Sequence, residues 1–331
     1  MHTVVLIPGD GIGPEVSDAA RRIIDASGVS IRWVVEEAGA AVLERTGSLV
    51  PDSVFAAIEA HRVALKGPIT TPIGTGFRSI NVSLRQKYDL YANVRPVRSH
   101  PGLGRSQDID LVIFRENTED LYAGRETRIS DDEVHAIKVI TRGASRRISQ
   151  AAFSYARAEG RKTVTAVHKA NIMKLADGLF LEAVRGVAAT YPDIRYNEVI
   201  VDNMCMQLVM HPGNYDVIVT ENLYGDILSD LAAGLVGGLG LVPGANIGDR
   251  YAIFEAVHGS APDIAGQGKA NPVAITLSGA MMLDHLGEQE AAARVRKAVS
   301  AVLGDASVVT GDLGGTGTTE SMTGAIIRAM S

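Results

Sequence analysis

Two aspartates in the second half of the chain have a spacing that suits a metal ion. Asp226 and Asp230 are the only charged residues in a mostly apolar segment from about Leu223 to Leu235. On a helix, residues four apart lie on one face, and like charges there oppose the helix unless a cation lies beside them. One interpretation is two solvated acids near a helix start, where the helix dipole favours them. The apolar neighbours, such as Ile227 and Leu228, favour a site for Mg²⁺ or Mn²⁺, which prefer carboxylate oxygens.

The main basic cluster of the chain lies between residues 78 and 115 and includes Arg85, Arg95 and Arg115. Guanidinium groups bind carboxylates and phosphates through two parallel hydrogen bonds, so the cluster indicates an anion-binding site. For any single arginine, a solvated face with local salt bridges is the alternative. Ser79 and Asn81 lie near Arg85, and short polar side chains beside arginines suit a small polyanion better than a nucleic-acid backbone.

Further polar residues follow buried strands. Lys169 comes directly after the predicted strand 163–168, and Asp202 is a third acid at a strand end. A lysine in such a place is a candidate catalytic amine because burial lowers the pKa of an amine, although most lysines are solvated. His258 opens a loop rich in glycine and alanine whose open backbone suits a flat ligand. Taken alone, such a histidine is more often structural than catalytic.

Strands that alternate with helices must position these residues, which predicts an α/β architecture with a parallel or mixed sheet. The predicted strands cover residues 4–7, 31–36, 63–66, 111–114, 163–168, 196–201 and 217–219. The predicted helices cover residues 15–26, 40–46, 51–61, 79–86, 145–159, 174–189, 204–211, 223–235, 272–286, 290–303 and 321–330. Residues 115–124 are predicted as a polar loop. The β-favouring residues within 125–141 predict a hairpin-like arm that pairs with a second subunit.

The composition limits the class of protein. The chain has 331 residues, of which 46% are hydrophobic, and this length suits about two domains. Its net charge of −6 gives no support to binding of nucleic acid or of an anionic membrane. Cys205 is the only cysteine, which excludes an intramolecular disulfide and a cysteine-based zinc site and fits a reducing cytoplasm. Neither a signal peptide nor a membrane span is expected.

Seven motifs together resemble the β-decarboxylating dehydrogenases, the family of isocitrate, 3-isopropylmalate, homoisocitrate and tartrate/malate enzymes. They are GDGIGPE at 9–15, RSINVSLR at 78–85, DLYANVRPV at 89–97, RENTEDLYAG at 115–124, HKANIMK at 168–174, NYDVIVTENLYGDILSDLAAGLVGGLG at 214–240 and HGSAPDIAG at 258–266. The longest of them is highly specific, whereas GDGIGPE alone is weak evidence for a nucleotide, since its glycines lack the spacing of the dinucleotide fingerprint.

The resemblance implies a fold like that of isopropylmalate dehydrogenase, with two α/β domains that share a large mixed sheet, and not a Rossmann fold. A large, cofactor-binding domain would consist of residues 1–97 and 250–331. A small domain of residues 98–249 would carry dimer-forming helices and an arm near residues 122–141.

The resemblance also implies which residues bind the substrate. These are Ser79, Asn81, Arg85, Arg95, Arg115 and Asn171. A serine and an asparagine two residues apart look like the pair that holds the distinguishing carboxylate in isocitrate enzymes, where isopropylmalate enzymes have an apolar helix. The arginines would bind the carboxylates of a small tricarboxylate.

The chemical roles implied by the resemblance involve two subunits of a homodimer. Tyr122 would be the general acid, and Lys169 of the partner subunit would be the general base. Asp226 and Asp230, with Asp202 of the partner subunit, would hold Mg²⁺ or Mn²⁺.

NAD is the cofactor that the resemblance favours. NADP-dependent relatives often carry Lys-Tyr where this chain has Asp263 and Ile264, and an aspartate there accepts hydrogen bonds from ribose hydroxyls and repels a 2′-phosphate. The implied cofactor-binding residues are Ile12, Thr70, Thr71, Glu255, His258, Gly259, Ser260, Ala261, Asp263, Ile264 and Asn271.

The implied activity is the oxidative decarboxylation of D-isocitrate to 2-oxoglutarate and CO₂ with reduction of NAD. The same family leaves homoisocitrate, 3-isopropylmalate or tartrate/malate as alternative substrates. A non-catalytic regulatory subunit is an alternative of a different class. Such a subunit would be expected to lose the lysine, the tyrosine or the metal acids, all of which this chain keeps.

Overall fold

The computed structural model describes residues 1–70 and 79–331. Thr71, one of the residues expected to bind the cofactor, lies outside these ranges. The described strands are β1 (His2–Ile7), β2 (Ile31–Val35), β3 (Val63–Lys66), β4 (Ala92–Arg98), β5 (Asp110–Glu116), β6 (Asp120–Arg128), β7 (Val134–Val139), β8 (Thr163–His168), β9 (Arg195–Ile200), β10 (Val217–Thr220), β11 (Pro243–Ile247) and β12 (Ala252–Ala256).

Helices cover both faces of the sheet that these strands build. The described α-helices are α1 (Gly13–Ala26), α2 (Ala40–Thr46), α3 (Asp52–His61), α4 (Ile80–Lys87), α5 (Arg142–Ala158), α6 (Ala176–Ala188), α7 (Val201–Met210), α8 (Asn222–Val236), α9 (Val273–His285), α10 (Gln289–Val302) and α11 (Thr319–Met330). None of the helices in the described ranges is long and apolar enough to cross a membrane.

Ten strands form one sheet in the order β2-β1-β3-β12-β11-β4-β5-β10-β8-β9. The strands from β2 to β12 run parallel to one another, as do those from β5 to β9. Between these groups, β11 and β4 pair antiparallel with each of their neighbours. The mixed sheet confirms the predicted fold class, and its order is not that of a Rossmann domain. The division into two domains at 97–98 and 249–250 stays a prediction.

The antiparallel centre of the sheet brings distant polar residues side by side. Asn246 of β11 lies opposite Asn93 of β4, and Asn93 lies opposite Arg115 of β5. The sequence does not predict β4 or β11. Pro243 and Gly244 begin β11 and Pro96 lies within β4, and both residue types are depleted in strands. Tertiary pairing therefore decides the structure where local propensity is weak.

The predicted polar loop at 115–124 is wrong. Arg115 and Glu116 end β5, and Asp120 already begins β6. Glu116 is buried and accepts hydrogen bonds from the backbone N–H groups of Thr118 and Glu119. The polar composition of this stretch thus reflects buried hydrogen bonding and not exposure to water.

The predicted arm is confirmed as a hairpin. β6 and β7 pair antiparallel in a two-stranded sheet separate from the main one. Val134 and Ile137 of β7 are exposed. The pairing of this arm with a second subunit stays a prediction.

The prediction that Asp202 lies at a strand end is wrong. β9 ends at Ile200 and α7 begins at Val201, so the chain passes from strand to helix without a loop. Asp202 lies in the first turn of α7, where the helix dipole favours a carboxylate.

Candidate active site

One cavity of about 360 Å³ opens beside the antiparallel centre of the sheet. Its lining includes seven of the residues expected to bind substrate or metal or to act as an acid: Ser79, Asn81, Arg85, Arg95, Arg115, Tyr122 and Asp226. It also includes Glu255, His258 and Gly259, which were expected to contact the cofactor. The structure therefore brings the predicted substrate residues and part of the predicted cofactor residues to one place.

Asp226 is the acceptor on which three side chains of the cavity converge. Its Oδ1 accepts hydrogen bonds from Nη1 of Arg115 and, at 3.3 Å, from Nη1 of Arg95. Its Oδ2 accepts a hydrogen bond of 2.6 Å from the hydroxyl of Tyr122. Gly225 precedes it on α8, and a Cβ there would approach Cγ of Arg115 to 2.5 Å. The glycine thus allows α8 to lie directly against Arg115.

The cation that two aspartates on one helix face require is Arg95. Its Nη1 lies 3.3 Å from Oδ1 of Asp226 and 3.9 Å from Oδ1 of Asp230. Asp230 keeps 57% of its side-chain surface exposed. The same guanidinium donates to Ser229 at 2.5 Å and, through Nε, to Asn93 at 2.7 Å. Arg95 therefore offsets the repulsion between the two carboxylates, of which Asp230 remains partly in contact with solvent.

Burial and charge shift the ionisation of these groups. Burial lowers the pKa of Arg115 to about 9, with Arg95 and Arg85 acting in the same direction, so the group stays cationic at neutral pH. Burial also lowers the pKa of Arg95. Although burial opposes ionisation of Asp226, Arg115, Tyr122 and Arg95 together hold the pKa of that carboxyl below its usual value. The cavity therefore presents a negative carboxylate amid several buried cations.

Tyr122 is held in its protonated form. Burial raises the pKa of its hydroxyl, and the hydrogen bond to Asp226 raises it further. Its ring lies 5.0 Å from the guanidinium carbon of Arg115. β6 carries this tyrosine, which places a phenol O–H at the edge of the cavity where it can give a proton.

Lys66 is a cavity residue that the sequence reasoning missed. It ends β3, is buried, and forms an ion pair of 2.6 Å with Glu255, which also accepts from Arg85 at 3.2 Å. Although burial opposes ionisation of Glu255, Lys66 and Arg85 lower the pKa of that carboxyl to about 2. A lone charged residue at the carboxyl end of an apolar strand is the signal that points to Lys66.

Three buried polar atoms in the cavity lack a hydrogen-bond partner among the described residues. They are Oδ1 of Asn81, Nε of Arg85 and Nε2 of His258. Buried polar groups are normally paired, so such atoms in a cavity wall mark places where a bound ligand can complete the hydrogen bonding. They lie on both the predicted substrate side and the predicted cofactor side.

The expected cofactor residues Ile12, Thr70 and Ser260 lie on three loops that are joined by hydrogen bonds. The backbone N–H of Ile12 donates to the carbonyl of Ser260 at 2.8 Å. The hydroxyls of Thr70 and Ser260 lie 2.6 Å apart. Ala261 follows with a φ of 36°, a left-handed conformation that turns the chain sharply.

The remaining expected cofactor residues lie further along the same loop. Asp263 and Ile264 are in a short 3-10 turn, and Asp263 is exposed. Asn271 is buried, accepts a hydrogen bond from Val273 at the start of α9 and donates to Asp312 at 3.0 Å. Asn271 thus already has partners of its own and holds α9 beside this loop.

Lys169, Asn171 and Asp202 do not line the cavity of their own chain. Nζ of Lys169 forms an ion pair of 2.6 Å with Asp202, and its hydrogen bond lowers the pKa of that carboxyl. Asp202 keeps 69% of its side-chain surface exposed, and Asn171 is exposed as well. Within one chain, the lining of the cavity therefore lacks the residues that were expected as the base and as the third metal ligand.

The carboxylates present suit a hard divalent cation, but one chain supplies only part of a ligand set. Asp226 and Asp230 offer oxygen ligands on one helix face, which is the donor type that Mg²⁺ and Mn²⁺ prefer. The described residues of a single chain contain no group of three aspartate, glutamate, histidine or cysteine side chains placed to hold a metal. A complete set would need a further donor.

Comparison with known proteins agrees with the geometry. A family model described as isocitrate/isopropylmalate dehydrogenase matches residues 3–326. A crystal structure of isocitrate dehydrogenase from Methylococcus capsulatus superposes with a TM-score of 0.96 at 53% identity, over 100% of this chain and 99% of that one. The fold and the family match thus place the chain among α/β dehydrogenases with a mixed sheet.

Curated relatives extend the comparison. A protein of Arabidopsis thaliana named isocitrate dehydrogenase [NAD] catalytic subunit 5, mitochondrial, is 50% identical over 98% of this chain and 87% of its own length. A protein of Thermus thermophilus named isocitrate/homoisocitrate dehydrogenase is 52% identical over 99% of this chain and 98% of its own. One of Dictyostelium discoideum named a regulatory subunit is 49% identical over 100% of this chain and 92% of its own. The chain belongs to the isocitrate/isopropylmalate dehydrogenase family.

Proposed function

We propose that the protein is an NAD-dependent isocitrate dehydrogenase that converts D-isocitrate to 2-oxoglutarate and CO₂. The observation that carries the proposal is the single cavity in which Arg85, Arg95 and Arg115 meet Tyr122 and Asp226. Three buried guanidinium groups suit a substrate with several carboxylates. The names of relatives at about half identity add support.

The start of α4 favours the carboxylate that distinguishes isocitrate from an apolar analogue. Ser79 precedes the helix, and within the described part of the chain its hydroxyl makes no capping hydrogen bond, so the helix start does not occupy it. Asn81 also lines the cavity, where the N–H₂ group of its side chain can donate to a carboxylate, whereas Oδ1, unpaired among the described residues, can only accept. The helix dipole adds attraction for an anion at this end.

The proposed reaction assigns roles to the cavity residues and to Lys169 of a second subunit. Lys169 of the partner subunit takes the proton of the C2 hydroxyl. NAD, when bound, would supply the acceptor for the hydride of C2. The β-keto acid that results loses CO₂, and Tyr122 gives its proton to C3 of the enolate. A divalent metal held by Asp226, Asp230 and the partner's Asp202 would supply the electrostatic stabilisation of developing negative charge on substrate oxygens. The arginines hold the substrate in the orientation that hydride transfer requires.

NAD is favoured over NADP by the side chains of the proposed adenosine pocket. Asp263 is exposed in the turn after His258, where its carboxylate can accept hydrogen bonds from ribose hydroxyls. The same negative charge would repel a 2′-phosphate. Burial lowers the pKa of His258, so this residue offers a neutral imidazole at the cavity wall.

A homodimer with shared active sites is part of the proposal. Asp202 lies on α7 with Met206, Val209 and Met210, and the spacing of these residues places them along one side of the helix. All three apolar side chains are exposed, as is Ile227 of α8. A second copy covering this apolar surface would also receive Lys169 and Asp202 beside its own cavity. Some relatives are named as subunits, so a heteromer is the alternative assembly.

The first prediction concerns the substrate. With NAD and Mn²⁺, kcat/KM for D-isocitrate is expected to exceed that for 3-isopropylmalate or tartrate by more than about 100-fold, because Ser79 and Asn81 would be left unpaired by an apolar group. Steady-state assays with these acids and homoisocitrate, before and after chelation of the metal, measure it. Equal or higher kcat/KM for homoisocitrate would assign the enzyme to that substrate instead.

The second prediction tests the specificity assigned to the start of α4. Ser79→Leu is expected to lower kcat/KM for isocitrate by roughly 10- to 100-fold, the size of one lost hydrogen bond to a charged group. The value for 3-isopropylmalate should not fall in parallel. Ser83→Leu on the same helix is a poor control because Ser83 bonds to the carbonyl of Ser79, so Ser53→Ala on α3 serves instead. A parallel loss for both substrates would count against a role in specificity.

A regulatory subunit is the remaining alternative function. A non-catalytic subunit would bind isocitrate without turnover, which the same assays on the purified chain detect.

We also propose a reducing compartment such as the cytoplasm, supported by the free thiol of Cys205. Several relatives carry mitochondrial in their names, so cell fractionation is the test of that assignment.

A further inference from the structure

A buried lysine on the exposed arm connects that arm to the segment that carries Lys169. Lys138 lies on β7, yet its side chain is only 11% exposed because it points into the protein. Its ammonium group donates to Oδ1 of Asp177 and to Oε2 of Glu221, each at 2.5 Å. It also lies 3.3 Å from the hydroxyl of Tyr224. None of these residues lines the cavity.

Asp177 connects this ammonium group to the main chain of Lys169. It is fully buried in the first turn of α6, and its Oδ2 accepts a hydrogen bond of 2.6 Å from the backbone N–H of Lys169. Its Oδ1 is the acceptor for Lys138. One carboxylate therefore bridges the arm and the first residue after β8.

A second contact holds the same segment. The sulfur of Met173 lies 3.8 Å from Nζ of Lys138 and 3.9 Å from the hydroxyl of Tyr224. The carbonyl of Lys169 accepts from the backbone N–H groups of Ile172 and Met173, so the segment closes in a tight turn. We use the name Lys138 cluster for Lys138, Asp177, Glu221 and Tyr224. This cluster holds both ends of the turn that begins at Lys169.

The charges show why Lys138 matters to this arrangement. Asp177, Glu221 and Asp120 are all buried around this one ammonium group. Although burial disfavours its charged form, Glu221 and Asp177 raise the pKa of Lys138. Burial raises the pKa of Glu221 to about 8, and Oε1 of Glu221 has no partner among the described residues. Both acids bond to Lys138, and it is Asp177 that also accepts a hydrogen bond from the backbone N–H of Lys169.

We propose that Lys138 and Asp177 are positioning residues for Lys169, holding its backbone so that its amine reaches the active site of a second copy. The inference rests on the proposed role of Lys169 as the general base. Neither residue touches the substrate. Their effect is on the geometry of proton removal from the C2 hydroxyl, and not on substrate binding or on decarboxylation.

Asp177→Asn is the variant that tests the proposal. An asparagine has the same shape, but one of its two terminal atoms is a donor, which must face either the N–H of Lys169 or the ammonium of Lys138, both of them donors. We expect kcat for isocitrate oxidation to fall about 10- to 100-fold, the loss that follows misplacement of a reacting group. KM for isocitrate should change less than about threefold.

A partial reaction separates positioning from general damage. Decarboxylation of the added β-keto acid needs no proton removal by Lys169, so Asp177→Asn should keep that rate within about threefold. Glu221→Gln is the matched control in the same cluster, because Glu221 bonds to Lys138 whereas the backbone of Lys169 bonds to Asp177, and it should keep kcat. Asp193→Asn, in the exposed ion pair with Arg157, is the surface control. Should Asp177→Asn fail to fold, Lys138→Met is measured for the same separation.

The outcomes distinguish this inference from the proposed function. Parallel loss of oxidation and decarboxylation, or equal damage by Glu221→Gln, would show a purely structural cluster and overturn the inference. An unchanged kcat in Asp177→Asn together with an inactive Lys169→Met would overturn it while leaving the proposed function in place. An active Lys169→Met would overturn the role of the base itself.

Discussion

Lys169→Met is expected to lower kcat for isocitrate oxidation by about 10³-fold or more while the protein still folds and assembles. General-base catalysis contributes on the order of 10²- to 10⁴-fold, and methionine keeps the apolar part of the side chain without the amine. The lysine is half-buried and its Nζ has Asp202 as its partner, so its removal leaves an exposed carboxylate and no buried unpaired charge. Initial rates with NAD and Mn²⁺ and a thermal melt measure the two expectations.

A lysine at the other end of the same strand provides the control. Lys162 precedes β8 and is exposed, so Lys162→Met should keep kcat within about twofold. Decarboxylation of the β-keto acid should also survive in Lys169→Met, because Tyr122 is intact. Retained oxidation, or loss of decarboxylation as well, would contradict the assignment of Lys169 as the base for the C2 hydroxyl.

Local spacing in the sequence predicts one part of the site, and the roles of its other residues follow from the family resemblance. The spacing of Asp226 and Asp230 requires a cation beside a helix face, and Arg95 supplies it in the structure. The sequence could not name Arg95 as that cation, since 131 residues separate it from Asp226. The contact depends on β4. Pro96 and two arginines lower the strand propensity of this segment, so propensity does not predict it.

Where the sequence reasoning failed, burial of polar groups was the cause. Residues 115–124 look like a loop because they are polar, yet Arg115 and Glu116 are buried in the sheet and Asn117 donates to Asn246 across the antiparallel centre. A single sequence does not reveal which distant partner satisfies a polar group. Such networks concentrate at functional sites, and this one reaches the cavity through Asn93, which bonds to Asn246 and lines the cavity wall.

Asp226→Asn is expected to lower kcat for isocitrate oxidation by more than about 100-fold, since it alters the acceptor on which Arg115, Arg95 and Tyr122 converge. An asparagine keeps one acceptor oxygen but loses the charge that two buried guanidinium groups face and that the proposed metal needs. Asp230→Asn, at the more exposed acid, should cost less. Initial rates over a range of Mn²⁺ concentrations measure both effects.

Mixing the two inactive variants tests whether the active site is shared. In a dimer that combines Lys169→Met with Asp226→Asn, one site would have both residues intact and the other would have neither, if each site takes Asp226 from one chain and Lys169 from the other as proposed. Random assortment of equal amounts makes half of the dimers mixed, so activity should return to about a quarter of the wild-type value. Each variant alone, taken through the same unfolding and refolding, is the control. If both residues served a site within one chain, every site in every dimer would carry a lesion, and the mixture would stay as inactive as its components.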